Sequence, residues 1–113
     1  MITKNKIKIA VADDHELFLE GLVSLLKGSD EIEIEGAALN GLEMLELLRT
    51  HPVDVLISDI NMPGMDGLEL CKQVRKKYPY TKILILTMHD EQKVISNMLK
   101  QGVKGYIFKN AGK

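Results

Sequence analysis

Five short apolar runs rich in β-branched residues, each followed by a stretch with helical spacing, constrain this chain more than any other feature. The runs cover residues 7–12, 32–38, 53–58, 82–87 and 105–108. Between them, Phe18, Leu22, Leu25 and Leu26 share one helical face, and Leu42, Leu45 and Leu48 share another. Leu68 and Val74 mark a third helix, and Val94, Ile95, Met98 and Leu99 a fourth. Asn40, Asp66 and Asp90 stand where side-chain N-caps belong. Alternating strands and helices predict a parallel sheet with helices on both faces. No residue motif repeats along with the strands, so a βαβ series accounts for the period better than a solenoid.

The runs also order themselves. Ile32-Glu33-Ile34-Glu35 alternates, as a half-exposed edge strand should, whereas VDVLIS and KILILT are almost continuously apolar, as central strands should be. The chain therefore starts inside the sheet, moves to one edge and crosses back. The expected fold is an α/β three-layer sandwich of the flavodoxin-like kind, with strand order 2-1-3-4-5.

A length of 113 residues allows one domain, spanning 1–113. With 45% hydrophobic residues the chain can bury a core, and a formal net charge of −1 exerts no general pull on DNA or anionic lipid. The apolar run near the N-terminus is too short for a signal peptide, and none approaches the roughly 18 residues that span a bilayer. Cys71 is the single cysteine, which excludes an internal disulfide and a multi-cysteine zinc site. A soluble, cytoplasmic domain without membrane contact is the expectation.

One element is missing from the pattern. Only Asn110, Ala111, Gly112 and Lys113 follow the fifth strand. A fifth helix would cover the sheet face shared with the first, and its four apolar side chains would contribute about 6 to 12 kcal/mol of gross burial. The chain is therefore expected to be truncated before its last helix, or to cover that face otherwise. An exposed apolar patch and self-association through it are predicted.

In an open α/β sheet, ligands bind beyond the carboxyl ends of the strands, where strand order reverses. Here strand 1 is followed by Asp13, Asp14, His15 and Glu16, and strand 3 runs into Asp59. Strand 4 ends in Thr87 and strand 5 in Lys109. Crowded carboxylates repel each other, and a hard divalent cation relieves that repulsion. Oxygen ligands without a His or Cys cluster favour Mg²⁺. A carboxylate can then attack phosphorus and form an aspartyl phosphate. Asp59, alone at the end of a central strand, is the best nucleophile candidate, and Asp13 and Asp14 read as the metal end. Lys109 can supply positive charge to phosphoryl oxygens. Thr87 and the backbone N–H groups after Asp59 can supply hydrogen bonds.

Each of these residues alone has a plainer reading: a helix-cap region for the acidic pair, a turn residue for Asp59, ordinary strand ends for Thr87 and Lys109. All of them at successive strand ends of one sheet are unlikely by chance. His15, His51 and His89 show no ligand spacing and read as surface residues. Cys71 reads as a small core residue, and Met44, Met62, Met65, Met88 and Met98 as packing. Lys76, Lys77 and Lys104 are too few for a nucleic-acid patch.

The residues VADDHE, SDINMPGMDG, LTMHD and GYIFK together resemble the receiver domain of bacterial two-component response regulators over essentially the whole chain. The resemblance implies a phosphorylation-dependent switch that catalyses only its own phosphorylation and dephosphorylation. Asp59 is then the phosphoacceptor, served by a sensor histidine kinase. Asp14, Asp59 and the carbonyl of Asn61 are Mg²⁺ ligands, and Asp13 holds the ion through water. Thr87 and Tyr106 are switch residues, Lys109 is the ion-pair partner, and Asn61 and His89 tune hydrolysis.

Asn110 stands where many receivers have Pro, and Met88 where a small residue is common. With DDH and LTMHD, these features resemble the LuxR/NarL-type subfamily. That subfamily implies transcriptional control through a C-terminal DNA-binding domain, which does not lie within these residues. The surface of the fourth helix and fifth strand is the alternative place expected for a homodimer. Other classes fit less well. A Mg²⁺-dependent aspartyl-phosphate phosphatase places its nucleophile in D-x-D after the first strand, whereas Asp13 and Asp14 are adjacent. An FMN carrier needs a hydroxyl- and glycine-rich loop where DDHE stands. A receiver-like module that is never phosphorylated usually lacks one of the acidic or lysine residues retained here.

Overall fold

The computed structural model describes residues 5–87 and 92–109. The elements alternate along the chain as β1 (Ile7–Ala12), α1 (Glu16–Lys27), β2 (Ile32–Ala38), α2 (Gly41–Thr50), β3 (Val55–Asp59), α3 (Gly67–Lys77), β4 (Lys82–Thr87), α4 (Gln92–Lys100) and β5 (Gly105–Phe108). All strand pairs are parallel, and the sheet order is β2-β1-β3-β4-β5, as the edge and centre patterns predict. The third strand begins at Val55 rather than Val53. Pro52 has no N–H to give a ladder, and Asp54, just before the strand, donates its backbone N–H to the Lys8 carbonyl of β1 and accepts from the Lys82 N–H of β4.

Two apolar layers sandwich the sheet. Ala10, Ala12, Leu56, Ile83 and Ile85 face Met44 and Leu48 of α2, Leu70, Cys71 and Val74 of α3, and Ile95 and Met98 of α4. On the other face Ile9, Val11, Ile57 and Leu86 meet Leu19 of α1, with Phe18, Leu22 and Leu26 packed around them. Two helical faces are rotated from their expected setting. In α2 the buried residues are Met44 and Leu48, while Leu42 is 63% exposed; in α1, Leu25 is 75% exposed. Gly36 and Gly41 bring α2 close to its neighbours, where an added Cβ would meet the Leu47 side chain or the Met65 carbonyl. That approach sets which flank of α2 goes inward.

The caps behave as expected where the structure describes them. Asn40 accepts from the Glu43 N–H and Asp66 from the Glu69 N–H. Asp90, Met88, His89 and Asn110 lie outside the described residues. Cys71 is buried, and that burial pushes its thiol up to about 12, so it packs rather than reacts.

On the α1 side, apolar surface stays open to solvent among the described residues. Leu17 is 86% exposed and Ile107 39%, with Val55 and Leu84 only partly covered. No described helix is long and apolar enough to cross a membrane.

Candidate functional site

The carboxyl ends of β1, β3, β4 and β5 form one rim, and the chemistry collects there. Parallel pairing sets the order: Ala12 lies beside Ser58, Asp59 beside Leu86, and Thr87 beside Phe108. Asp13, Asp59 and Thr87 are 0%, 4% and 1% exposed, so three polar side chains are drawn into an otherwise apolar edge. Buried polar groups of this kind need partners or a ligand.

Lys109 supplies much of the partnership. The Lys109 N–H donates to the Thr87 carbonyl at 2.8 Å, which carries the side chain back over the rim. Its ammonium lies 3.0 Å from Asp13 Oδ2, 3.4 Å from Asp59 Oδ2 and 2.8 Å from His15 Nδ1. It also sits 4.8 Å from the centre of the Phe18 ring. One cation thus faces two buried carboxylates, and the account does not balance.

Burial and the neighbouring Asp13 raise the Asp59 carboxyl above its ordinary range, although Lys109 and the Asn61 N–H pull the other way. The consequence for stability has a definite sign. Folded Asp59 binds a proton more readily than unfolded Asp59. Stability therefore falls as pH rises from the ordinary carboxylate value toward the raised one. In metal-free protein, the thermal midpoint of Asp59→Asn should gain on wild type as pH climbs through that window, by a few degrees. A difference that stays constant with pH would contradict this account of the pocket.

The loop after β3 completes the rim. Gly64 adopts φ +74°, a backbone setting that glycine reaches without penalty. The Gly67 N–H then bonds to the Ile60 carbonyl at 2.7 Å and closes the turn. A shallow cleft lined by Asp14, Asn61, Met62, Pro63 and Asp66 opens beside the carboxylates.

Each candidate of the rim can now be placed. Asp13, Asp14 and Asp59 converge, and a ligand atom from each lies within 4.8 Å of the others and of His15. Asn61 stands at the mouth of the cleft, and Thr87 is buried at the rim. Tyr106 lies on β5, 45% exposed, its ring 5.3 Å from that of Phe108. His15 is exposed, as expected of a surface residue, yet it has partners at the rim. It is not an unconnected surface residue, because its Nδ1 is 3.2 Å from Asp13 Oδ1 and 3.6 Å from Asp14 Oδ1. Its position directly after the acidic pair was the available signal, and a search for spaced histidines passes over it. His51 ends α2, its Nδ1 2.9 Å from the Thr50 hydroxyl.

A profile of the response regulator receiver domain matches residues 9–113. The chain belongs to this family. Among similar proteins, the transcriptional regulatory protein DegU of Brevibacillus brevis is 36% identical over 108 residues, covering 96% of this chain and 46% of that protein. The oxygen regulatory protein NreC of Staphylococcus carnosus is 41% identical over 106 residues, covering 93% of this chain and 49% of that one. The receiver domain thus spans about half the length of the curated relatives it matches. Its fold is similar to the signal receiver domain of the response regulator NarL from Mycobacterium tuberculosis, with TM-score 0.87, 37% identity, and coverage of 95% of this chain and 86% of that one. It is also similar to RcsB of Salmonella enterica serovar Typhimurium, solved bound to a promoter with phosphomimetic BeF3⁻. There the TM-score is 0.88 at 27% identity, covering 96% of this chain and 63% of that one. These relatives place the receiver domain in the LuxR/NarL-type branch of two-component response regulators.

Proposed function

We propose that this receiver domain accepts a phosphoryl group on Asp59 from a sensor histidine kinase and thereby changes its output surface. The observation that carries this reading is the Lys109 ammonium set between the buried carboxylates of Asp13 and Asp59. A lone buried Asp facing a cation is a simple ion pair. A second buried carboxylate in the same pocket leaves negative charge for a divalent cation to balance.

The donor set fits Mg²⁺: oxygen ligands from Asp14, Asp59 and the Asn61 carbonyl, with Asp13 holding the ion through water, at a rim open to solvent. When bound, Mg²⁺ neutralises the carboxylates and draws charge from the phosphoryl oxygens. The chain does the rest. An Asp59 carboxylate oxygen forms the new bond to phosphorus as the bond to the donor's leaving group breaks. Lys109 takes up charge on a phosphoryl oxygen, and the Thr87 hydroxyl and the Asn61 N–H offer hydrogen bonds. The new phosphate brings about two negative charges. It draws Lys109 from its resting contacts and biases the α4–β5 surface, where Tyr106 packs on Phe108. Asn61 and His89 set the rate of hydrolysis.

In the longer protein this change would control a DNA-binding output domain in the cytoplasm. Pairing of two copies would use the open α1 face or the α4–β5 surface.

Two measurements test the reading. Incubation with acetyl phosphate and Mg²⁺ should add one acid-stable, hydroxylamine-sensitive phosphate; no incorporation would overturn it. Asp14→Ala should weaken Mg²⁺ binding by tenfold or more in calorimetry, because a direct carboxylate ligand is lost, and unchanged affinity would move the metal elsewhere.

A further inference from the structure

We propose that one end of the sandwich, formed by the last turns of α3 and α4 and the starts of β4 and β5, is an electropositive surface that rests on the phosphate backbone of duplex DNA. The choice of DNA as the polyanion rests on the reading that the longer protein acts through a DNA-binding output domain. The surface itself is a property of this chain and lies away from the phosphoacceptor pocket.

The formal net charge of −1 conceals a division of the chain. Residues 13–69 hold fourteen Asp or Glu against only Lys27 and Arg49. The described residues from 70 to 109 hold nine Lys or Arg and no Asp or Glu, Asp90 and Glu91 lying outside them. The fold gathers six of these nine cations at one end. Arg75, Lys76 and Lys77 form the last turn of α3, Lys100 ends α4, Lys82 opens β4 and Lys104 immediately precedes β5. All six are exposed, and none makes an ion pair with a described carboxylate. Lys76, Lys77 and Lys104 are too few by themselves; parallel topology adds the other three. Two bonds hold the elements together there. Arg75 Nη1 donates to the Gly102 carbonyl at 3.1 Å, and the Lys104 N–H donates to the Ile83 carbonyl at 2.8 Å.

A plainer account is that cations in a last helical turn complement the helix dipole. That covers α3 and α4 but not Lys82 and Lys104, which stand at strand starts, where the net dipole is small. Composition then separates the kinds of partner. Protein interfaces are depleted in lysine and carry an apolar core. Here five of the six cations are lysines, and the large side chain between Lys77 and Lys82 in sequence is Tyr80, 94% exposed. A duplex carries one negative charge for about every 1.7 Å of its axis, so lysines meet phosphates there without a shaped pocket. The acidic residues of α1, β2 and α2 repel the same duplex, which confines the contact to this end.

Fluorescence anisotropy of a short labelled DNA duplex, titrated with the 113-residue chain, tests the proposal. Affinity should fall roughly 100-fold between about 50 mM and about 200 mM salt, as four or so neutralised phosphates require. Lys76→Glu with Lys104→Glu should weaken binding by about tenfold or more at the lower salt. Lys27→Glu with Lys93→Glu changes the net charge equally but lies off this end, and should cost less than about threefold. Lys82→Gln with Lys100→Gln probes the same end through other residues, and thermal unfolding checks that each variant is folded. No binding by wild type at the lower salt, or equal losses in the two charge-reversed pairs, would overturn the proposal. So would binding to poly-glutamate or to duplex RNA that is tighter than to DNA, the first of which would assign this end to an acidic protein. Acetyl phosphate labelling of the same samples reads the phosphoacceptor separately. Its loss would strike that function and leave the DNA contact standing.

Discussion

Asp59→Asn should abolish phosphoryl acceptance: with acetyl phosphate and Mg²⁺, incorporation is expected to drop to background. The amide keeps the shape of the side chain but loses the anionic oxygen proposed to attack phosphorus. Neighbouring carboxylates are not expected to substitute. Asp13 is wholly buried and paired with Lys109, and Asp14 stands at the exposed mouth rather than at the end of the central strand. The same change removes one of two buried carboxylates that repel each other, so the variant should unfold at or above the wild-type temperature near neutral pH. Lost labelling in a fully folded protein separates chemistry from collapse. Labelling that persists undiminished would assign the nucleophile to another residue.

The second large effect is structural. Gly67 begins α3 at the point where its backbone crosses the end of β3. A Cβ there would lie 2.2 Å from the Asp59 carbonyl oxygen and 2.8 Å from the Ile60 Cα. Both obstacles are backbone, so no side-chain rotation relieves the clash. Gly67→Ala should cost about 1–3 kcal/mol or more, as overpacking of a rigid site does. The strain falls on the strand end that presents Asp59 and on the Gly67-to-Ile60 bond that closes the loop. Denaturant unfolding should therefore show a lower midpoint, and Mg²⁺ binding should weaken alongside. Wild-type stability in this variant would mean that α3 can move away from β3 at little cost.

Much of this architecture was legible from residue order. Strand pairing followed from the alternation at Ile32–Glu35 set against the continuous apolar runs of β3 and β4, because burial on one or both faces leaves different periodicities. The rim residues could be gathered because parallel strands all end on the same side. Three things were not legible, each for a physical reason. The inward flank of α2 depends on how closely Gly36 and Gly41 let it approach, which helical periodicity alone does not encode. The start of β3 depends on where Pro52, which has no N–H, lets the ladder begin. The place of His15 beside Lys109 depends on the reach of a side chain from β5, 94 positions away. Local spacing carries no trace of such a meeting.

The register of β2 against β1 slips between Ile9 and Ala10, so that Ile34 and Gly36 face consecutive residues and Glu35 is the extra one. That irregularity lies on a strand whose outer side has no neighbour among the described strands. A foreign chain trying to extend the sheet there finds its regular ladder interrupted and meets the carboxylates of Glu33 and Glu35. The register shift, together with those charges, disfavours backbone pairing along this edge. Crowded copies can come together through their side-chain surfaces without knitting their backbones into one fibre.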